Sequence, residues 1–330
     1  MLNIGHLTVS AVLSAALISC SFIDEDLSQC GEQVRTDYEL TLVTNMTTEI
    51  QTELQTDAET AVSQELQTFL DGIFTDYAHD VDLSFYDTEG DSVRLRHEDH
   101  VMDANQASYT LNLPTHDYMH LAVANLDDNE QVELVGDERC HQAQLRQVPG
   151  DTINSHATGL FTARQQMNVN NGENQQFDVH LYMANSAVAL VIEPDGFTAD
   201  GVQVYCTGFA TGFSVCDSVY HFSEPSPIVR TTRLTNTRND LLCYAAVTFP
   251  SRQEPSADGK PFWEFRVYVP KPDGTVTENI IGVYEPLLPG ELKIVKVKLT
   301  ADGSVQSSSP EVGVSVTLDW KPGGTYYPNI

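Results

Sequence analysis

Residues 262–269 have the sequence FWEFRVYV, in which large apolar side chains alternate with Glu264, Arg266 and Tyr268. A period of two is typical of a β-strand that buries one face. The turn-forming residues Lys271-Pro272-Asp273-Gly274 follow, and a second apolar run comes at 280–284. This stretch therefore predicts an antiparallel hairpin with Trp263 in the core.

The same pattern recurs through the second half of the chain. Strands are predicted at 176–182, 186–192, 201–206, 241–249, 262–269, 280–284, 292–299 and 312–318. Turn sequences separate several of them, such as Glu193-Pro194-Asp195-Gly196 and Ala301-Asp302-Gly303. Short strands at this spacing predict an antiparallel β-sandwich over residues 159–330.

The first half of the chain mixes strand patterns with one helical pattern. Residues 34–42 alternate as a half-buried strand, and alternation resumes at 81–86, 93–95, 109–113 and 119–123. Residues 47–74 place apolar side chains at helical spacing and contain no Lys or Arg, which predicts an amphipathic helix between the first two strands. Residues 125–158 show little periodicity and are interpreted as a long loop or linker. We expect a mainly β protein of two antiparallel β-sandwich domains, 34–158 and 159–330, with the helix inserted in the first.

The N-terminus resembles an export signal. An apolar segment at 7–16 has the length of a signal-peptide core and is short for a helix that crosses a bilayer. It leads into Leu17-Ile18-Ser19-Cys20, which resembles the lipobox of bacterial lipoproteins, where the chain is cut before an acylated cysteine. We expect a signal peptide at 1–19, lipidation of Cys20 and a polar tether at 20–33. The other interpretation is an uncleaved segment with a buried cysteine.

The charge balance limits the partners. The chain has 17 Lys and Arg against 47 Asp and Glu, a formal net charge of −30 at pH 7. So acidic a surface repels phosphate backbones, and we expect no nucleic-acid partner. Without a basic amphipathic helix or a second long apolar run, attachment to a membrane is expected through covalent lipid.

The cysteines predict a disulfide more readily than a metal site. The six are Cys20, Cys30, Cys140, Cys206, Cys216 and Cys243. If Cys20 carries lipid, five remain, so at least one stays unpaired within the chain. An exported compartment permits disulfides, and we expect Cys30 to pair with Cys140. The absence of a CxxC spacing disfavours a zinc site built from Cys206, Cys216, Cys243 and His221.

His97-Glu98-Asp99-His100 is the group most suggestive of chemistry. Its histidines are three residues apart, unlike those of HExxH zinc proteases. In an extended segment His97 and Asp99 point to one side while Glu98 and His100 point to the other. The four side chains therefore cannot converge on one metal ion, and we expect a solvated loop. Asp127-Asp128-Asn129-Glu130 lacks the glycine and final glutamate of an EF-hand. With no phosphate loop and no GxSxG elbow in the sequence, we expect no catalytic residue, metal or cofactor.

One stretch carries a family resemblance. Cys20 with Asp26-Leu27-Ser28-Gln29-Cys30 resembles the lipidated cysteine and the DLSxC element of the FimB/Mfa2 fimbrial anchor lipoproteins of Bacteroidetes. Val179-His180-Leu181-Tyr182-Met183 is similar to the region where that family opens its C-terminal sandwich. The resemblance spans most of the mature chain. It implies two transthyretin-like sandwiches, a lipid anchor in the outer membrane, exposure at the cell surface, and pilin subunits as partners.

The resemblance also implies strand-mediated assembly. Subunits of such fimbriae join when one chain donates a strand to a groove in the next, and unpaired backbone groups at a sheet edge supply the affinity. The candidate segment is 312–318, whose apolar face consists of Val312, Val314, Val316 and Leu318. The alternative is an ordinary internal strand.

Three functional hypotheses result. The first is a non-enzymatic outer-membrane lipoprotein that attaches or terminates a fimbria. The second is a surface glycan-binding lipoprotein with Tyr326 and Tyr327 as a sugar platform. The third is a lipidated hydrolase that uses His97, His100 and nearby acids.

Overall fold

A computed structural model describes residues 33–43, 60–74, 78, 80–100, 108–170, 175–195, 201–234, 241–307 and 312–320. One α-helix and 22 strands lie in this part of the chain. In chain order they are β1 (Gln33–Val43), α1 (Thr60–Ile73), β2 (Val81–Asp87), β3 (Arg94–His100), β4 (Ser108–Pro114), β5 (His116–Ala124), β6 (Val132–Val135), β7 (Gln144–Gln147), β8 (Thr152–Asn154), β9 (Phe161–Val169), β10 (Gln175–Met183), β11 (Ser186–Pro194), β12 (Gln203–Thr207), β13 (Gly212–Ser214), β14 (Val219–His221), β15 (Ile228–Arg230), β16 (Thr232–Leu234), β17 (Leu242–Thr248), β18 (Trp263–Pro270), β19 (Val276–Val283), β20 (Leu292–Leu299), β21 (Val305–Ser307) and β22 (Val312–Trp320). A short 3₁₀ helix covers Cys140–Gln142. The protein is mainly β, as the alternation predicts.

The strands form four sheets. Their orders are β3-β2-β5-β9-β10-β1-β4, β16-β17-β11-β20-β21, β22-β19-β18-β12-β15-β8 and β14-β13-β7-β6. Most neighbouring strands are antiparallel, but β1 pairs in parallel with β10, β11 with β20, and β15 with β8. The mixture of pairings means that local hairpins alone do not define the architecture.

The five-stranded sheet has a core on each face. Along β11, Ala187, Ala189 and Val191 lie in one apolar cluster, while Val188 and its alternate neighbours lie in a second cluster. Because both faces are buried, the strand is apolar throughout, whereas a half-buried strand alternates.

The first core contains the helix. Leu66 and Leu70 of α1 pack in the same cluster as Leu83 and Phe85 of the seven-stranded sheet and one face of the five-stranded sheet. The prediction of a helix between the first two strands is confirmed at Thr60–Ile73; its earlier part, 47–59, lies outside the described residues.

The second core is a sandwich of the five- and six-stranded sheets. Trp263 is 1% exposed, and its indole Nε1 donates a hydrogen bond to the carbonyl oxygen of Glu285 at 3.1 Å. Phe265 stacks edge-on to this ring, and Phe209 lies against it with a ring separation of 5.7 Å. The predicted core position of Trp263 is therefore confirmed.

Two observations bear on the organisation predicted between 125 and 160. The interpretation of 125–158 as a loop or linker is wrong in part, because β6, β7 and β8 lie there; strands of three or four residues are too short to show periodicity. The strands β9 and β10, which follow residue 158, lie in the seven-stranded sheet beside β5 and β1. The division of the chain into domains at 158 stays a prediction.

Candidate functional site at the edge of the six-stranded sheet

The segment 312–318 lies in β22, the terminal strand of the six-stranded sheet. It pairs antiparallel with β19, with Val312 opposite Val283 and Ser315 opposite Ile280. The ladder is irregular between Val276 and Glu278 and ends with Trp320 opposite Val276. In the described chain no strand pairs with the other side of β22, so half of its backbone amides and carbonyls face away from the sheet.

This edge lacks the features that usually protect an edge strand. Edges are commonly shortened or carry charges and proline. Among the described edge strands, β8, β14, β16 and β21 have three residues each and β6 has four. The strand β3 carries six ionisable side chains in seven residues, and β4 ends in Pro114. In β22, by contrast, the seven residues 312–318 contain neither a charge nor a proline.

The inner face of β22 closes the sandwich core. Val312 and Val314 are partly buried against it, and Ser315 is exposed on the opposite face. Val316 and Leu318 continue the alternation of Val312 and Val314 along the strand. Val316 is paired with Asn279, and Leu318 follows Thr317, which is paired with Glu278. The side chains of Val316 and Leu318 lie outside the described residues. The strand therefore shares its apolar face with the core while its outer edge is unpaired.

An aromatic ring covers a pair of glycines at the start of the strand. Gly313 lies opposite Gly282, and a Cβ atom at Gly313 would lie only 2.9 Å from Cε2 of Tyr284. Tyr284 is 49% exposed. A side chain at Gly313 would require the ring to move from this position, where the ring supplies contact area that the two glycines lack.

The strand that supports β22 has its own attachment to the sandwich. The fully buried Asn279 of β19 donates from Nδ2 to the carbonyl oxygen of Gly303 at 3.0 Å, and its Oδ1 accepts from the amide of Val305 at 2.9 Å. These bonds join β19 to the turn before β21 and to the first residue of β21, which lies in the five-stranded sheet. Because buried polar groups are costly to leave unpaired, Asn279 holds β19 in place without help from β22.

The remaining predicted site residues are placed only in part. Cys20 and Cys30 lie outside the described residues. Cys140 is buried, which raises the pKa of its thiol, and its sulfur lies 2.6 Å from the sulfur of Cys216. Cys206 and Cys243 lie in two different cores. The disfavoured zinc ligands therefore do not converge.

The His97 group lies in a strand, so the expectation of a solvated loop is wrong. His97 Nε2 lies 2.9 Å from Asp82 Oδ2 and 3.3 Å from Asp99 Oδ1, and His100 Nε2 lies 3.1 Å from Glu98 Oε2. The predicted division of the four side chains between two faces is confirmed. Sequence reasoning missed Asp82, which is the direct cross-strand partner of Asp99. The turn-forming residues 87–91, which separate the strands predicted at 81–86 and 93–95, were the signal that could have found it, because they predict a hairpin.

Asp82, His97 and Asp99 are the one described group of histidines, cysteines and acids whose ligand atoms lie within 4.8 Å of one another. Asp99 is 82% exposed, and Ser84 donates a hydrogen bond to Asp82. Such exposed pairs are typical of surface electrostatics. None of the described helices combines the length and apolar character needed to span a membrane.

Comparisons with known proteins give a consistent family and fold. A model of the fimbrillin-A associated anchor proteins Mfa1 and Mfa2 matches residues 37–233. A candidate adhesin from Bacteroides ovatus is 14% identical, with a TM-score of 0.52 over 89% of this chain and 99% of that one. A candidate polysaccharide-binding protein from Bacteroides thetaiotaomicron is 10% identical, with a TM-score of 0.54 over 84% and 99%.

The fimbrial anchor protein Mfa2 from Porphyromonas gingivalis is 12% identical, with a TM-score of 0.46 over 87% of this chain and 96% of that one. No curated protein sequence matches this chain significantly.

Proposed function

The chain belongs to the family of the fimbrillin-A associated anchor proteins Mfa1 and Mfa2, and on that premise we propose that it is an accessory subunit that attaches or terminates a fimbria at the cell surface. The family describes anchor proteins rather than a class of enzyme, and we propose no catalytic role. In this proposal the two sandwiches are transthyretin-like domains.

The anchor in this proposal is a lipid on Cys20. One acyl chain binds a bilayer only marginally, whereas two or more anchor a protein stably. The lipobox cysteine of a lipoprotein carries that number, and the polar tether 20–33 would separate the acidic body from the headgroups. A chain of net charge −30 has no attraction of its own for anionic lipid, so the covalent anchor would supply the attachment to the outer membrane.

The partner in this proposal is a pilin subunit, and the supporting observation is the edge of β22, which is paired on one side only and uncharged over residues 312–318. Strand addition or exchange uses backbone hydrogen bonds for affinity and alternate side-chain pockets for register. Val312 and Val314 already occupy such alternate positions against the core. A pilin strand could pair with the outer edge of β22, or replace β22 beside β19, which Asn279 holds independently.

A second candidate is the surface glycan-binding lipoprotein. It is favoured by the fold shared with the candidate polysaccharide-binding protein. A cleft of about 300 Å³ lies near Arg146, Asp151 and Thr211 and is also lined by Pro225 and Pro227. The described residues that line it include no aromatic side chain, the group on which sugars usually stack. Tyr326 and Tyr327 lie outside the described residues.

The decisive experiment is capture of the partner from detergent-solubilised envelopes by the full chain, read out by mass spectrometry. We expect a pilin subunit to be recovered with the wild type. A Ser315→Lys variant places a charge on the edge strand and should reduce recovery at least about tenfold, because charged edges oppose strand addition. Ser108→Lys, at an exposed position of the other long uncharged edge strand, is the matched control and should not.

Intact-mass analysis of the same material should show an acylated Cys20 at the new N-terminus. Equal recovery of the pilin with both lysine variants would reject the β22 edge as the contact. Recovery of no fimbrial subunit, together with specific binding on a glycan array, would replace the proposal with the second candidate.

A further inference from the structure

The four-stranded sheet brings two cysteines together from distant parts of the chain. Its strands β7 and β13 pair antiparallel, with Gln144 opposite Ser214. The pairing continues beyond the strands, where the amide of Val215 donates to the carbonyl oxygen of Ala143 at 3.0 Å. Cys140 begins the 3₁₀ helix just before β7, and Cys216 follows β13. The ladder thus positions the two backbones for a side-chain contact.

The two thiols contact each other in a partly dry environment. Their sulfur atoms lie 2.6 Å apart across a sequence separation of 76 residues. Cys140 is 2% exposed and packs in one apolar cluster with Leu145, Phe213 and Val215, while Cys216 retains partial access to solvent. One sulfur is therefore shielded and the other can be reached by a reagent.

The other described cysteines are arranged differently. Cys206 lies in the core of the sandwich, with its sulfur 3.9 Å from the carbonyl oxygen of Val229. Cys243 lies in the core that includes α1. Burial without a second sulfur is what structural cysteines usually show, so the contact between Cys140 and Cys216 does not follow from core packing alone.

We propose that Cys140 and Cys216 form an intrachain disulfide in the exported protein. The thiolate of the more accessible Cys216 attacks the disulfide of an oxidised dithiol carrier and forms a mixed disulfide, releasing one carrier thiolate. The sulfur of Cys140, on losing its proton, then displaces the carrier's second sulfur, so the carrier leaves as a dithiol with two electrons and the protein gains one S–S bond.

The cross-link closes a segment that contributes to every sheet. Between residues 140 and 216 lie β7 and β13 of the four-stranded sheet, β8 and β12 of the six-stranded sheet, β9 and β10 of the seven-stranded sheet, and β11 of the five-stranded sheet. Closing so long a loop reduces the freedom of the unfolded chain. In a subunit that bears tension, it would also prevent this segment from being extended.

The test is thiol mapping of the full chain purified from envelopes in the presence of an alkylating reagent, followed by proteolysis without reduction. We expect a peptide that links Cys140 to Cys216. A Cys30→Ser variant, which removes the rival partner predicted for Cys140, should keep this peptide, and Cys216→Ser should lose it. A peptide linking Cys30 to Cys140 would overturn the proposal, as would alkylation of both Cys140 and Cys216.

Two measurements make the test independent of folding defects and of the export that the proposed function assigns. Purified reduced wild type, treated with glutathione disulfide, should yield the same linked peptide after proteolysis. If it does not, the pairing itself is overturned. If it does, but the protein from envelopes has both thiols free, only formation of the disulfide in the cell is overturned. Reduction of the oxidised wild type should lower Tm by roughly 5–10 °C. An unchanged Tm would reject the stabilising role.

Discussion

The first and last described strands, β1 and β22, occupy opposite situations in their sheets. β1 lies between β10 and β4, with Thr36–Val43 in register with β10 and Gln33–Glu39 in register with β4. β22 has β19 on one side and no described strand on the other. Both strands are long, but only β1 has a neighbouring strand on each edge, and its residues 36–39 are paired on both sides.

This difference indicates which strand can take part in exchange. Removing β1 would leave unpaired amides and carbonyls on two neighbouring strands, whereas removing β22 leaves them on one edge of β19, whose other edge still pairs with β18. Each backbone group left buried without a partner costs about 1–3 kcal/mol. The edge strand is therefore the less costly one to displace, and its residues 312–318 contain no protecting charge.

Proline substitutions give the largest expected effect on this comparison. Successive residues of a strand direct their amides to opposite sides, so Asp37→Pro and Tyr38→Pro each remove a ladder hydrogen bond from β1, one towards each neighbour. Each should lower the free energy of unfolding by more than about 3 kcal/mol. In β22 the amides of Val314 and Ser315 also point to opposite sides, so one of them points to the open edge. Of Val314→Pro and Ser315→Pro, the variant that removes this amide should lower the free energy of unfolding by only about 1 kcal/mol.

Urea unfolding of the four variants, monitored by circular dichroism, makes this measurement. If both proline variants of β22 lower the free energy of unfolding equally, the backbone groups on its outer edge are hydrogen-bonded in the folded protein. Tolerance of either proline in β1 would mean that β1 is not held on both sides, and would reverse the ranking of the two strands.

A change of pH tests the comparison through buried histidines. His120 of β5 is fully buried, with Nδ1 3.0 Å from the carbonyl oxygen of Ser84, and His156 is fully buried, with Nε2 2.8 Å from Gln147 Oε1. Burial lowers the pKa of His120 to about 4 and that of His156 to about 3. The described strands of the six-stranded sheet contain no histidine, and His156 lies two residues after β8, at the edge of that sheet opposite β22.

The direction in which stability changes with pH follows from the pKa of about 6.5 that each histidine has in the unfolded chain. Above that pH both histidines are neutral in either state and their contribution is complete. As the pH falls from 6.5 towards the folded values, only the unfolded chain takes up the protons, so stability is lost. At pH 5 the loss is about 2 kcal/mol for each histidine.

Unfolding free energies at pH 7 and pH 5 measure this loss, and hydrogen exchange locates it. We expect amides of β5 and β9 to open at pH 5 before those of β18 and β19. His120→Asn and His156→Gln should each remove about half of the pH-dependent loss. If neither variant changes the dependence of stability on pH, other groups cause the acid sensitivity and the seven- and six-stranded sheets do not differ in this respect.

The sequence predicts those elements that bury one face along a continuous segment, because the pattern of apolar residues then repeats within that segment. Residues 262–269 alternate because β18 buries one face, and 60–73 repeat at helical spacing because α1 does the same. In contrast, the parallel pairing of β1 with β10 depends on residues far apart in the chain, and no local pattern encodes it.

The candidate site at β22 likewise has features that the sequence predicts and features that it does not. The alternation of Val312 and Val314 is visible in the sequence, and both pack against the core. The edge position of β22 is a property of the whole sheet order, and so is the approach of Cys216 to Cys140, which requires β7 and β13 to pair. Short strands such as β13 contain too few residues to show a period, so the sequence did not reveal that ladder.

The smallest expected effect isolates a single side chain in each strand. Thr36 of β1 is fully buried and donates from Oγ1 to the carbonyl oxygen of Leu111 on β4 at 3.2 Å, whereas Ser315 of β22 is exposed. Thr36→Val keeps the shape but removes the donor, and should cost about 1 kcal/mol, the usual net value of one hydrogen bond. Ser315→Ala is the matched hydroxyl removal on the edge strand and should stay within about 0.5 kcal/mol of the wild type. Thr36→Ser keeps the hydroxyl and removes the methyl group, and so measures the contribution of the methyl group separately from that of the hydrogen bond. If Thr36→Val is as silent as Ser315→Ala in denaturant unfolding, the stability of β1 comes from its backbone ladders alone, and the two strands differ in how many neighbours they have rather than in what their side chains contribute.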